Sequence, residues 1–185
     1  MAKDPTWRRS AACGLIGGAV GVSAMNASMK LSGKLLRIEA KPPRRKLRKG
    51  ESPSWSQIGE HHEGDEPATA ALGRVVYEGL TGQRPSEETK QRLSTALHWG
   101  YGLTVGALYG LIRGRKRWLI TDAVGGLSYG VGLWVFGDML AVPLLGLADK
   151  PTRYRLRVHA HALSGHLVYG LATAAATRVA NKVWD

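Results

Sequence analysis

Apolar positions fall into four long blocks separated by charged segments. Residues 11–29, 93–112, 118–137 and 158–177 are nearly free of charge, and the second and fourth are twenty residues long with an arginine at each end. A helix of that length spans about 30 Å, the thickness of a bilayer's hydrocarbon core. The pattern predicts an all-α fold: a polytopic membrane helical bundle with about four transmembrane helices, as one membrane domain over 1–185. A long charged loop over 30–66 follows the first helix.

Glycine spacing predicts how these helices meet. Gly102, Gly106 and Gly110 recur every fourth residue, leaving a bare stripe along which a second helix can reach backbone contact. Gly14 with Gly18, Gly17 with Gly21, and Gly126 with Gly130 repeat that spacing. The composition agrees, with 24 Gly against one Phe and a hydrophobic fraction of only 44%. A core filled by large side chains is not expected, although buried core helices of a soluble protein remain the alternative. The single Cys13 excludes an internal disulfide and reads as a small packing residue.

The formal charge of +12 is concentrated in one place. Residues 30–49 hold nine bases against Glu39 alone, whereas residues 50–92 carry eight acids and four bases. Beside a membrane helix such a run, with Arg44, Arg45, Lys46, Arg48 and Lys49 at its densest part, reads as a contact for anionic lipid head groups. Nucleic-acid binding, the rival reading, would need a recognisable binding motif that the run lacks; no nucleic-acid partner is expected. The expected partners are an anionic bilayer and either further copies of the chain or a larger membrane complex.

Local signals place the remaining elements. Lys3, Arg8 and Arg9 precede the first block, which fits a retained helix or a signal peptide; its glycines favour the helix. Pro67 suits a first helical turn, and Leu72, Val75, Val76 and Leu80 mark one face of an amphipathic helix over 67–82. Ser86 is a helix cap followed by Glu87 and Glu88 at the positive end of the dipole, so the second span should start there without a break. Arg113, Arg115, Lys116 and Arg117 form a basic turn; with both termini they are expected on the cytoplasmic side. Asp138 should close the third span, and Pro143 should break whatever helix persists.

Candidate chemistry is sparse. His98 and Tyr101 in the second block match His166 and Tyr169 in the fourth as His-x-x-Tyr-Gly-Leu, a spacing that places both side chains on one helical face. His159 lies two turns from His166 on the same face, while His161 points away. These residues are candidates for an intramembrane polar cluster, and haem or metal binding is the sharp alternative to ordinary hydrogen bonding. Asp122 and Asp138 are placed near the ends of the third span, in reach of water, with proton relay as the alternative. Residues 59–66, with two His and four acids, read as a solvated loop rather than a cation site. No nucleophile with base and acid, no phosphate loop and no zinc spacing occurs, so neither enzyme activity nor a cofactor is expected.

Gly14-Leu-Ile-Gly17, the region from His98 to Tyr101, Pro143-Leu-Leu-Gly146-Leu147 and Ser164-Gly-His166-Leu-Val168 together resemble the YagU-like family of small bacterial inner-membrane proteins. The resemblance covers the four apolar blocks and not the insertion over 30–66. It implies a multi-pass location in a bacterial cytoplasmic membrane and carries over no catalytic residues.

Overall fold

The computed structural model describes residues 6–35, 45–48, 50–113 and 119–184. Five α-helices longer than one turn occur among them, and no strand does: α1 Thr6–Leu35, α2 Ala68–Thr81, α3 Glu87–Arg113, α4 Leu119–Leu133 and α5 Leu156–Val183. The chain divides into two compact units, one made of residues 1–38, 99–133 and 160–185, the other of 39–98 and 134–159.

Several local signals act as the chemistry requires. Pro67, extended at φ −60° and ψ 147°, precedes α2, and Gly82 ends it in the left-handed conformation at φ 68°, its N–H bonding back to Glu78. Ser86 Oγ accepts the Thr89 N–H at 3.2 Å at the start of α3, ahead of an unbroken helix.

Other boundaries move. Helix α1 runs through Lys30 to Leu35, so the charged loop begins later than residue 30. There Ser32 Oγ donates to the Ser28 carbonyl at 2.8 Å and lies 3.3 Å from His161 Nδ1, a lateral tie for the last turns. The third block does not end at Asp138 either. Beyond α4 the helix widens into a π-helix over Trp134–Ala141 and finishes as a short turn, Val142–Leu144. Pro143 lacks the N–H that an α-helix would donate four residues back, and its ring crowds that turn, which accounts for a helix that changes pitch before it stops.

In the first unit, α1 runs antiparallel to α3 and α5, and α4 runs antiparallel to α5. Val22, Val105 and Tyr169 form its small apolar centre, with Met25, Trp99, Tyr129 and Leu133 around them. By length and composition two stretches are apolar enough to cross a membrane, Thr6–Leu35 and Ile120–Leu144. The blocks within α3 and α5 do not join them, because Gly, Thr, Tyr and His dilute their hydropathy.

Candidate functional site

The first unit is held by glycine seams. A methyl group on Gly18 would stand 2.7 Å from the Gly102 carbonyl oxygen and 3.0 Å from Gly106 Cα. One on Gly106 would stand 2.7 Å from Gly14 O and 2.8 Å from Gly18 N, and one on Gly14 would be 2.9 Å from Gly110 Cα. These neighbours are backbone on both sides, so nothing can yield to a larger residue. Gly126 and Gly130 of α4 meet α5 in the same way, the former with 2.6 Å from a would-be Cβ to Gly170 O, the latter against the His166 carbonyl. Gly17 and Gly21 face the fully buried Thr173 and Thr177 of α5, whose hydroxyls lie against glycine backbone.

Polar side chains cross these seams at few points. Tyr169, 3% exposed, donates to the Gly102 carbonyl at 2.6 Å, and Tyr129 donates to the Val105 carbonyl at 2.6 Å. Both bridge to α3, and the Tyr109 ring packs against Tyr129 tilted at 55°, with ring centroids 5.1 Å apart. Tyr101 differs from its sequence counterpart Tyr169. It is 52% exposed, because the buried face of α3 is set by Gly102, Gly106 and Gly110, and Tyr101 projects about a quarter turn away from it. The His-x-x-Tyr repeat therefore does not build two equivalent interior clusters.

Asp122 also departs from expectation. It is 2% exposed rather than wetted, and Arg113 chelates it through Nε at 2.7 Å and Nη2 at 2.6 Å, while Arg178 Nη1 adds a bond of 2.7 Å. Arg113 is itself buried instead of belonging to an exposed basic turn; Arg115, Lys116 and Arg117 lie outside the described residues. The cluster ties the end of α3, the start of α4 and the end of α5, and beside it Arg9 donates to the Asn181 carbonyl at 2.9 Å. Two arginines around one buried carboxylate leave the carboxylate fully engaged.

The histidines are dispersed. His166 Nδ1 lies 3.0 Å from the Ala162 carbonyl in its own helix. In the second unit His159 Nε2 lies 3.0 Å from the Pro151 carbonyl, with the rings of Trp134 and Tyr154 edge-on to it. His98 and Asp138 are half-buried in that unit. No group of three or more His, Cys, Asp or Glu side chains positioned to hold a metal ion occurs among the described residues.

Charge organises the second unit, where residues 45–48 and 50–66 form a strap. The Arg45 N–H bonds to the Arg153 carbonyl at 2.8 Å, and the Lys150 N–H to the Pro53 carbonyl at 2.9 Å. The Gly146 carbonyl receives the backbone N–H groups of His61 and His62 at 2.8 and 3.0 Å. Residues 59–66 are thus not merely solvated. His62 sits buried between Gly146 O and Asp149, its Nε2 3.4 Å from Asp149 Oδ1. Glu51 is held by Lys150 Nζ at 2.7 Å, by the Arg48 N–H and by Arg45, and these donors bring its pKa down from 4.5 to about 2.

Arg74, buried in α2, bonds Glu66 at 2.8 Å and the His61 carbonyl, with Glu63 and Glu78 nearby. Burial alone would raise the Glu66 pKa; the Arg74 guanidinium and the Glu63 N–H outweigh it, so the group is held below its usual value. The large residues of α2, Leu72, Val76 and Leu80, face outward, while Ala70, Ala71, Gly73 and Arg74 are buried. Of the basic residues assigned to lipid, Arg45, Lys46 and Arg48 are exposed on the strap, and Arg44 and Lys49 lie outside the described residues.

The class defined by this architecture is an all-helical protein in which two helices are compatible with membrane insertion. Comparison with protein-family models, curated proteins and solved structures finds no match for the chain.

Proposed function

We propose that the chain is a non-enzymatic, four-pass protein of the bacterial cytoplasmic membrane, acting through glycine-mediated helix packing as a structural or accessory subunit. The observation that carries this reading is a reversed sorting of side chains by size. On α1 the buried positions are Ser10, Cys13, Gly14, Gly17, Gly18, Gly21 and Val22, whereas Leu15, Ile16 and Val20 are each more than 40% exposed. Leu108, Leu111 and Ile112 of α3, Val124 and Val131 of α4, and Leu171 of α5 also face outward. Water penalises such a surface by about 25 cal/mol per Å² of apolar area, whereas lipid does not.

The same sorting supports counting α3 and α5 as spans. Among their polar residues Tyr109, Tyr169, Thr173 and Thr177 point inward, while Tyr101 and Thr104 of α3 stay outside, so an average over the whole helix understates how apolar the rest of the outer face is. An even number of spans fits the Arg9 to Asn181 bond, which joins the two terminal helices at one end of the first unit. Arg8, Arg9, Arg178 and Lys182 lie at that end, which we place with both termini in the cytoplasm, although Lys30 and Lys34 at the other end of α1 are basic as well. Membership of the YagU-like family belongs to the same proposal. Proton-linked transport and haem or metal carriage lack comparable support, since Asp122 is clamped by two arginines and His159 and His166 face carbonyls.

Membrane fractionation with an alkaline carbonate wash tests the reading. The full chain is expected to stay in the pellet and to require detergent for release; recovery in the supernatant would refute it.

A further inference from the structure

We infer that the strap formed by residues 45–48 and 50–58 is a docking surface for an anionic bilayer interface, with Leu47, Trp55 and Ile58 entering the head-group region and Arg45, Lys46 and Arg48 meeting lipid phosphates. The inference rests on the membrane reading of Ile120–Leu144 and adds to it a specific lipid contact.

Three observations converge. The first is attachment. The strap is bonded to residues that follow the apolar stretch at once: Ser56 and Gly59 pack on Gly146, Pro53 receives the Lys150 N–H, and Arg45 bonds to Arg153. The stretch ends at Leu144, two residues before Gly146, so a strap tied to 146–153 is held where that helix leaves the hydrocarbon. The second is its outer surface. Leu47, Trp55 and Ile58 are 38%, 41% and 63% exposed although the backbone that carries them is pinned. Ser54 and Ser56 hydroxyls accept the N–H groups of Ser56 and Ile58 at 2.9 and 3.3 Å, which satisfies backbone donors where no helix does. An indole and two aliphatic side chains on an irregular, internally bonded segment suit the amphipathic head-group layer.

The third is charge. Arg45, Arg48 and Glu51 line an open hollow of about 380 Å³. Glu51 is already engaged by Arg45 and Lys150, so Arg45, Arg48, Lys150 and Glu51 together carry two net positive charges, and the exposed Lys46 adds another. A lipid phosphate matches that excess, each nearby base contributing about 1 kcal/mol on an anionic surface.

The experiment uses the full chain in nanodiscs of phosphatidylcholine with or without phosphatidylglycerol. Cys13 is fully buried, so Ile58→Cys is labelled with an environment-sensitive fluorophore against the unsubstituted chain as control. Val124→Cys, on the outward face of the apolar stretch, is labelled in parallel. The expected result is quenching of the 58 label by spin-labelled lipid, stronger with phosphatidylglycerol and reduced at least twofold by Lys46→Glu with Arg48→Glu, while quenching at 124 is unchanged throughout. Quenching at 124 with a 58 label as water-exposed as one at Glu60 overturns the inference and leaves the membrane reading standing. Absence of quenching at 124 overturns both. Quenching at 58 that ignores both lipid charge and the two reversals overturns the assignment of the basic residues.

Discussion

The two units of this chain are held together by opposite means. In the first, helices touch backbone to backbone through Gly14, Gly18, Gly102, Gly106 and Gly110, and charge enters in the buried knot around Asp122. In the second, a segment without regular structure is fastened by carbonyls, by Glu51 and by the Arg74 network. Seams of that first kind gain from van der Waals closeness and need no water to be expelled, so they suit helices surrounded by lipid. Straps of the second kind depend on ionised groups, whose strength changes with pH and with the loss of one partner.

Removing one partner from a buried charge cluster should have the largest effect. Asp122→Asn leaves Arg113 and Arg178 facing each other without a full counter-charge, and Arg74→Gln leaves Glu66 buried without its cation; each should cost about 3–5 kcal/mol. Thermal unfolding in detergent should show a loss for both, with Arg74→Gln also exposing the strap to protease. An unchanged melting temperature for Asp122→Asn would mean that the knot does not hold the first unit's helix ends.

Volume is the next lever, and it separates the seam from the open face within the first unit. Gly106→Leu pushes a side chain into backbone at 2.7 and 2.8 Å and should cost about 3 kcal/mol or more, because neither helix can give way. Gly100→Ala, on the same helix but with open space around it, should stabilise by about 0.5–1 kcal/mol through helix propensity alone. Equal effects from the two would remove the argument for the seam.

Acid should loosen the strap and leave the glycine seams, which carry no titratable group, unaffected. Glu51 titrates lower in the folded chain than its ordinary 4.5, so its contribution is complete above that value and fades as the pH falls toward about 2; Glu66 shifts in the same direction. Hydrogen exchange at the His61 and His62 amides should accelerate across that range while the Gly102–Gly110 segment keeps its protection. The smallest effect belongs to Arg92→Ala, which breaks an exposed pair with Glu88 and should shift stability by less than about 0.5 kcal/mol.

Much of the helical layout is legible locally. Ser86 with Glu87 and Glu88 marks the start of α3, Pro67 and Gly82 bracket α2, and the four-residue glycine period marks faces. What a period cannot name is the partner. Nothing near Asp122 in the chain points to Arg178, and nothing in residues 59–66 points to Gly146 or Asp149, because these pairings are made by tertiary packing across long stretches of chain. The π-helix was equally hidden, since Pro143 announces an interruption without saying that the helix would widen from Trp134 first. Tyr101 and Tyr169 share a motif and differ in burial, a reminder that the neighbouring glycines, not the motif, choose the inward face.

The central claim is that large apolar side chains of the first unit face lipid while glycines face each other. Spin labels placed singly at Ile16, Val20, Leu108 and Leu171 in liposomes test it most directly through their accessibility to oxygen and to a water-soluble nickel chelate. The account predicts high oxygen and low nickel accessibility at all four positions. Nickel accessibility equal to that of a label at the exposed Glu60 would contradict it.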